Sequence, residues 1–156
     1  MTVDVRLAGP DDLAGAYALR HEVFVVGQGV PVELERDGFD DEADHAVAVR
    51  DGAVVGTGRL LDGRTDQDGR LVPGTLGSVG TIGRMAVAST ERGQGTGRAL
   101  LDLLVARAAE RRWPVVELHA QVHARAFYER AGFLSVGEVY LEAGIEHVAM
   151  CRDQPA

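Results

Sequence analysis

Between an apolar stretch and a stretch of helical periodicity lies the run Arg92-Gly93-Gln94-Gly95-Thr96-Gly97. Closely spaced glycines let backbone N–H groups approach an anion with no Cβ in the way. A helix starting directly afterwards adds unpaired N–H groups and the positive end of its dipole. That chemistry suits a pyrophosphate, with Arg92 and Arg98 adding charge. Three phosphate-binding patterns compete for the run. A Walker A loop needs Gly-Lys followed by Ser or Thr, and the chain has no lysine. A Rossmann fingerprint needs G-x-G-x-x-G. Counting from Gly93 puts Arg98 where its last glycine belongs, and counting from Gly95 puts Leu100 there. The spacing that fits is Arg92-x-x-Gly95-x-Gly97, after Ile82-Gly83-Arg84-Met85-Ala86-Val87.

Other side chains could move protons. Histidine is neutral near pH 7 and is the cheapest general base; His45, His123 and His147 are candidates, with Glu22 and Glu138 behind them. No pair has the zinc-helix spacing H-E-x-x-H. His119 and His123 are four apart, but they straddle a strand end and a turn, so no metal site is expected. The single cysteine, Cys151, allows no internal disulfide and no structural zinc. It falls in an apolar, strand-like run and reads as a spectator.

These groups need a frame. Val3 to Leu7 alternates as a first strand. Gly9-Pro10-Asp11-Asp12 is a turn that opens a helix, and Leu13, Ala16, Tyr17, Arg20, Val23 and Phe24 follow helical spacing. That helix is expected to stop before Gly27. From there to Asp44 the chain is acidic and turn-rich, with Glu33, Glu35, Asp37, Asp40, Asp41, Glu42 and Asp44. A solvated loop is expected there, or a lid that selects a cation. His45 to Val49 and Ala53 to Leu61 read as strands joined by the hairpin turn Asp51-Gly52. Arg64 to Gly77 reads as an exposed loop and Val79 to Val87 as a long strand. A helix is expected from Thr96 to Arg112, ended by Trp113-Pro114. Val115 to His119 is a strand running into Ala120-Gln121, and Arg125 to Arg130 a short helix stopped by Gly132. Phe133 to Val136 and Ile145 to Met150 close the fold.

The 156 residues suit one domain spanning 1–156, long enough to bury a core without staples. With 46% hydrophobic and 26% charged residues, the chain is ordinary globular material. A formal net charge of -8 argues against nucleic acid as a partner, because phosphate neutralisation needs a basic surface. All 16 basic residues are arginine. The N-terminus has no leader pattern and no apolar run reaches membrane-span length, so a cytoplasmic protein without a membrane partner is expected.

A second motif follows the glycine run: Ala126-Phe127-Tyr128-Glu129-Arg130-Ala131-Gly132-Phe133. Together the two resemble the GNAT superfamily of acyltransferases. The resemblance implies that Arg92, Gly93, Gln94, Gly95, Thr96, Gly97 and Arg98 hold the pyrophosphate of acetyl-CoA. It also implies that Met85, Ala86 and Val87 offer backbone groups to the pantetheine arm, and that Tyr128 lies near the thioester sulfur. The implied fold is mixed α/β: a central, mostly antiparallel six- to seven-stranded sheet with helices on both faces. The strands Val79–Val87 and from Val115 are expected to part where the co-substrate enters. The likeness runs over nearly the whole chain toward the ElaA-type branch. It is carried by Leu19-Arg20-x-x-Val23-Phe24-Val25-Val26-x-Gln28, Asp37-Gly38-x-Asp40, His45, Ile82-Gly83-Arg84, Ala120-Gln121-x-His123 and Glu138-Val139-Tyr140-x-Glu142-x-Gly144-Ile145-x-His147. The branch usually has a glutamate before the glutamine, where this chain has Gly27. It usually has a small residue at His119, and Gly95 falls in a loop that varies.

Acyl transfer to an amine needs a base for the amine, a donor for the oxyanion and an acid for the departing thiolate. The resemblance makes Tyr128 the acid and a strand N–H, at Met85 or a neighbour, the oxyanion donor. His123 and His147 are the favoured bases. Phe24, Gln28, His45, Arg84 and Glu138 are the expected acceptor-binding residues. The expected reaction is direct transfer of acetyl from acetyl-CoA to a primary amine, on a small molecule or a peptide, by a monomer or a homodimer. The alternative is a silent acyl-CoA-binding module of the same fold. An acyl-homoserine-lactone synthase shares only the early Leu19-Arg20-x-x-Val23-Phe24 look.

Overall fold

The computed structural model describes residues 2–155. Its strands are β1 (Asp4–Leu7), β2 (Asp44–Arg50), β3 (Ala53–Asp62), β4 (Val79–Val87), β5 (Val115–Gln121), β6 (Leu134–Glu142) and β7 (Ile145–Asp153). They form a seven-stranded sheet in the order β1-β2-β3-β4-β5-β7-β6. β4 and β5 pair in parallel, with Val79–Ile82 registered on Val115–Leu118. The pairs β1–β2, β2–β3, β5–β7 and β6–β7 are antiparallel. The helices are α1 (Leu13–Arg20), α2 (Val32–Glu35), α3 (Thr96–Glu110) and α4 (Arg125–Arg130). Contacts group the chain into two compact units: residues up to Leu60 with Arg84–Val105, and Leu61–Gly83 with residues from Ala106 onward.

In the first unit the hairpin turn Asp51-Gly52 has φ of 52° and 80°, the two left-handed residues that match strand twist. Ala46, Val47 and Ala48 of β2 are fully buried, as are Leu100, Leu101 and Leu104 of α3. Two glycines of β3 set how closely α3 lies. A Cβ on Gly56 would meet Leu100 Cδ1 at 2.8 Å, and one on Gly58 would meet Leu104 Cδ1 at 2.8 Å. Past Arg20 the first helix widens into a π-helical stretch over His21–Val26, the kind of irregularity that often marks functional sites. Gly27 closes it by donating to Glu22 O at 2.9 Å. A Cβ at Gly27 would lie 2.6 Å from Val23 O, so the glutamate usual in the ElaA-type branch does not fit this backbone unmoved.

The acidic stretch after Gly27 is not simply a solvated loop. It folds into α2 and a 3-10 turn over Asp40–Glu42, and Glu35 is only 3% exposed.

In the second unit β7 lies between β5 and β6, and Val116, Leu118, Val148, Met150 and Phe133 form its core. Gly132, at φ 92°, stops α4 as expected. Its N–H donates to Glu129 O and the Phe133 N–H to Tyr128 O, the paired bonds of a Schellman cap. The segment 64–77 is more ordered than an open loop, with an isolated bridge Thr65–Leu71 and Asp66 Oδ1 accepting from the N–H groups of Asp68 and Arg70. β6 and β7 run further than the sequence pattern suggested, because the closing hairpin Ala143-Gly144 also takes two left-handed residues.

Candidate active site

The glycine run sits between β4 and α3. Gly93 and Gly95 have φ of 80° and 83°, a region L side chains rarely adopt, so glycine is required at both. A Cβ built at either meets no atom within 4 Å, so the space beside this backbone is open. The Gly95 carbonyl accepts the Ala99 N–H at 3.0 Å, the first intrahelical bond of α3. Thr96 and Gly97 therefore lie in the first turn, where N–H groups have no intrahelical acceptor and the dipole is positive. Gly97 is helical and owes nothing to a left-handed φ. An open, left-handed glycine turn feeding a fifteen-residue helix fits a pyrophosphate.

The two arginines of the loop differ. Arg92 is exposed and donates from Nε to Val87 O at 3.2 Å, which leaves its outer nitrogens toward solvent. Arg98 is bound to Asp102 at 2.9 Å along α3, which reduces the charge it can lend. Beneath the loop lies a residue that the sequence motif does not include. Glu91 is 5% exposed and takes Arg50 of β2 at 2.6 and 3.1 Å. With the Ala88 N–H bound to Val55 O at 2.8 Å, this pair fixes the entry to the turn. Its position, a glutamate directly ahead of the glycine run, is the signal that could have found it.

β4 contains the strained backbone of the site. Arg84 has φ of 54° inside a strand, an uncommon state for a long side chain. Such residues cost about 1–3 kcal/mol and persist where the surroundings hold them. The peptide planes on either side of its Cα do not alternate as in a regular strand, and one of them carries the Met85 N–H.

The surroundings are a network of arginines and carboxylates. Arg20 is 1% exposed and forks onto Glu35, with Nε to Oε2 at 2.8 Å and Nη2 to Oε1 at 3.1 Å. It also reaches Asp40 at 2.7 Å. Arg59 forks onto Asp37 at 2.8 Å through both outer nitrogens. Arg84 donates to Leu34 O at 2.9 Å, Glu35 O at 3.2 Å and Asp37 at 3.0 Å. Burial alone would push the Asp37 and Asp40 carboxyls up. Arg59 on Asp37 and Arg20 on Asp40 outweigh it and hold both below the usual carboxylate range. Burial, and then the like charge of Arg59, lower the Arg84 guanidinium. Glu35, Asp37 and Asp40 are thus neutralised from inside the unit, which argues against a lid whose carboxylates await a cation.

His45 joins this network. It is 6% exposed, donates from Nε2 to Asp40 O at 2.9 Å and stands opposite Arg59 across the β2–β3 ladder. Its Nδ1 has no protein partner among the described residues. Of the expected acceptor-binding residues, the structure thus brings His45 and Arg84 to one network. Phe24 lies half-buried in the π-helical stretch and Gln28 is exposed just after it. Glu138 is exposed on β6, in the other unit.

In the second unit Tyr128 packs edge-on against Phe127 and Phe133, with centroids 5.0 and 6.2 Å away. Burial pushes its phenol up to about 12, so it carries its proton through the physiological range. Its hydroxyl forms no hydrogen bond with the described residues. His123 is exposed in the turn before α4. His147 is buried, with Nδ1 on Ile145 O at 2.7 Å and Nε2 3.3 Å from Glu142. Ile145 O only accepts, so Nδ1 carries an N–H and Nε2 faces Glu142. His119 stood out in the sequence for its four-residue spacing from His123 and as an unusual residue at its position. It donates from Nε2 to Thr65 O at 2.9 Å and takes the Tyr140 hydroxyl on Nδ1 at 2.6 Å. Burial, and then Glu142, push the Tyr140 phenol up.

Among the described residues no helix is long and apolar enough to cross a membrane. Comparison with known proteins places the chain in a family. The family model described as an acetyltransferase (GNAT) domain matches residues 12–153. Protein ElaA of Escherichia coli is 33% identical over 138 residues, covering 86% of this chain and 83% of that protein. The uncharacterized N-acetyltransferase YjcF of Bacillus subtilis is 32% identical, covering 92% and 94%. The crystal structure of Escherichia coli ElaA superposes with TM-score 0.80, covering 97% of this chain and 100% of that one. An acyl-CoA N-acyltransferase from Pseudomonas aeruginosa superposes with TM-score 0.76 at 37% identity, covering 97% and 99%. The chain therefore belongs to the GNAT acetyltransferase family, in its ElaA-type branch, and is an acyltransferase.

Proposed function

We propose that residues 1–156 act as one N-acetyltransferase domain that moves the acetyl group of acetyl-CoA directly to a primary amine on a small molecule or peptide. The observation that carries this reading is the open turn at Gly93 and Gly95, left-handed and leading into α3. Its backbone N–H groups, those of Thr96 and Gly97, and the exposed Arg92 receive the pyrophosphate. Gln94 and Arg98 border it, and the backbone of Met85, Ala86 and Val87 receives the pantetheine. The thioester carbonyl takes its hydrogen bond from the Met85 N–H. The amine attacks that carbon, the C–S bond breaks, and the thiolate takes the Tyr128 proton, which the proton released by the amine replaces through solvent. The amine gives up its own proton to water, to His123, whose ring is exposed, or to His147.

Calorimetric titration tests the binding half. Acetyl-CoA should bind the wild type with micromolar affinity, about -8 kcal/mol. Gly95→Val should abolish the heat, because the branched residue cannot hold φ near 83° and its methyl groups enter the open space. Equal affinity in the variant would put the pyrophosphate elsewhere.

A further inference from the structure

Arg84 is left-handed in the middle of β4, directly before the Met85 N–H, and it is not glycine. Gly83 beside it has no left-handed φ, and a Cβ there would meet nothing within 4 Å, so the sequence does not use its glycine to make this turn. Something must hold a long side chain in an unfavourable state, and the hydrogen bonds identify it. The Arg84 guanidinium is tied at Leu34 O, Glu35 O and Asp37 Oδ2. Its partners are themselves held, Glu35 by Arg20 and Asp37 by Arg59, and Arg20 and Arg59 meet again at Asp40. The unusual backbone of β4 is therefore pinned by a chain of ion pairs reaching back to α1.

We infer that Arg84 is a positioning residue: its tether to Leu34, Glu35 and Asp37 fixes the left-handed turn that aims the Met85 N–H at the thioester oxygen, and Arg20 and Arg59 hold the anchor still. Arg84 itself donates inward, so it acts through Met85 without touching the reacting atoms. This rests on the acetyl-transfer reading above. It adds that the segment 32–40 is coupled to the oxyanion donor by a side chain. The pyrophosphate turn at Gly93 and Gly95 has its own supports, Arg50 with Glu91 and Ala88 with Val55, so tether and cradle separate in experiment.

The test uses Arg84→Gly, Arg84→Lys and Asp37→Asn in the full chain. Arg84→Gly permits the positive φ without strain but cuts the tether. Arg84→Lys keeps the charge but cannot span three acceptors from one ammonium group. Asp37→Asn weakens the anchor and leaves β4 untouched. Each is measured for acetyl-CoA Kd, for kcat with the best amine, and for the carbon-13 shift of bound [1-13C]acetyl-CoA, which reads the hydrogen bond on the thioester carbonyl without turnover. Kd should stay within about twofold of wild type and kcat should fall roughly tenfold. The carbonyl shift should move toward that of free acetyl-CoA, most in Arg84→Gly and less in the other two. Wild-type kcat and shift in Arg84→Gly would overturn the inference, as would losses of Kd and melting temperature that track the loss of kcat in all three variants. If the wild type acetylates no amine, the transfer reading fails, and the carbonyl shift alone still decides whether Arg84 sets the donor.

Discussion

Replacing Tyr128 with phenylalanine separates catalysis from binding. The ring stays between Phe127 and Phe133 and only the hydroxyl is lost, and that hydroxyl bonds none of the described residues. Folding and acetyl-CoA affinity should therefore change little. The size of the catalytic loss follows from the phenol's burial, which lifts it to about 12. A phenol this reluctant to ionise is a weak acid toward the sulfur as the C–S bond breaks. That places it at the low end of general acid catalysis, a roughly 10²-fold fall in kcat, about 2.7 kcal/mol. The loss should appear in kcat and not in acetyl-CoA affinity. Stopped reactions at saturating acetyl-CoA, with thiol release as the signal, give the number. The free enzyme should also show no alkaline loss from this phenol below about pH 10, two units under its titration. Wild-type turnover in Tyr128→Phe would refute the assignment.

Other consequences are thermodynamic. Arg20→Met strips a fully buried cation from Glu35 and Asp40 and leaves the buried Glu35 carboxylate without its fork, which should cost about 3–5 kcal/mol in urea unfolding. At about 2–4 °C per kcal/mol for a chain of this size, the melting temperature should drop by about 6–20 °C; a change under about 1 kcal/mol would mean that the network contributes nothing. The folded Asp37 and Asp40 titrate below their unfolded values, so their stabilisation is present above about pH 4 and is lost as pH falls through the lower folded values. Unfolding measured from pH 6 to 2 should fall less steeply in Asp37→Asn than in wild type, and parallel curves would contradict the pairing.

The local features of the fold were plain in the sequence because their causes are local. Asp51-Gly52 turns a hairpin, Gly132 caps α4, and the apolar run Val79–Val87 is a strand to the residue. The glycine turn read correctly as a strand-to-helix junction. What was not legible depends on partners distant in the chain. Glu35 meets Arg20 across 15 residues and Asp37 meets Arg84 across 47. No periodicity encodes such pairs, so the acidic stretch looked like a solvated loop. One sign was present: Arg20 follows the same helical spacing as Ala16, and a cation on a buried stripe demands a carboxylate. His119 offered a similar sign, an imidazole where its branch has a small residue, and the structure gives it Tyr140 as a donor. The left-handed φ of Arg84 left no trace in the sequence, where the groups it bonds lie 47 to 50 residues away.

The central claim is transfer, and one measurement reaches it most directly. Purified protein is mixed with acetyl-CoA and a panel of amines spanning small amines, amino acids and peptides, with thiol release followed by absorbance and products by mass spectrometry. The account predicts thiol released only when an amine is present, in equal amount to an acetylated product 42 Da heavier per about one thiol, and lost roughly 10²-fold in Tyr128→Phe. Acetyl-CoA bound at micromolar strength with no thiol released for any amine in the panel would contradict it.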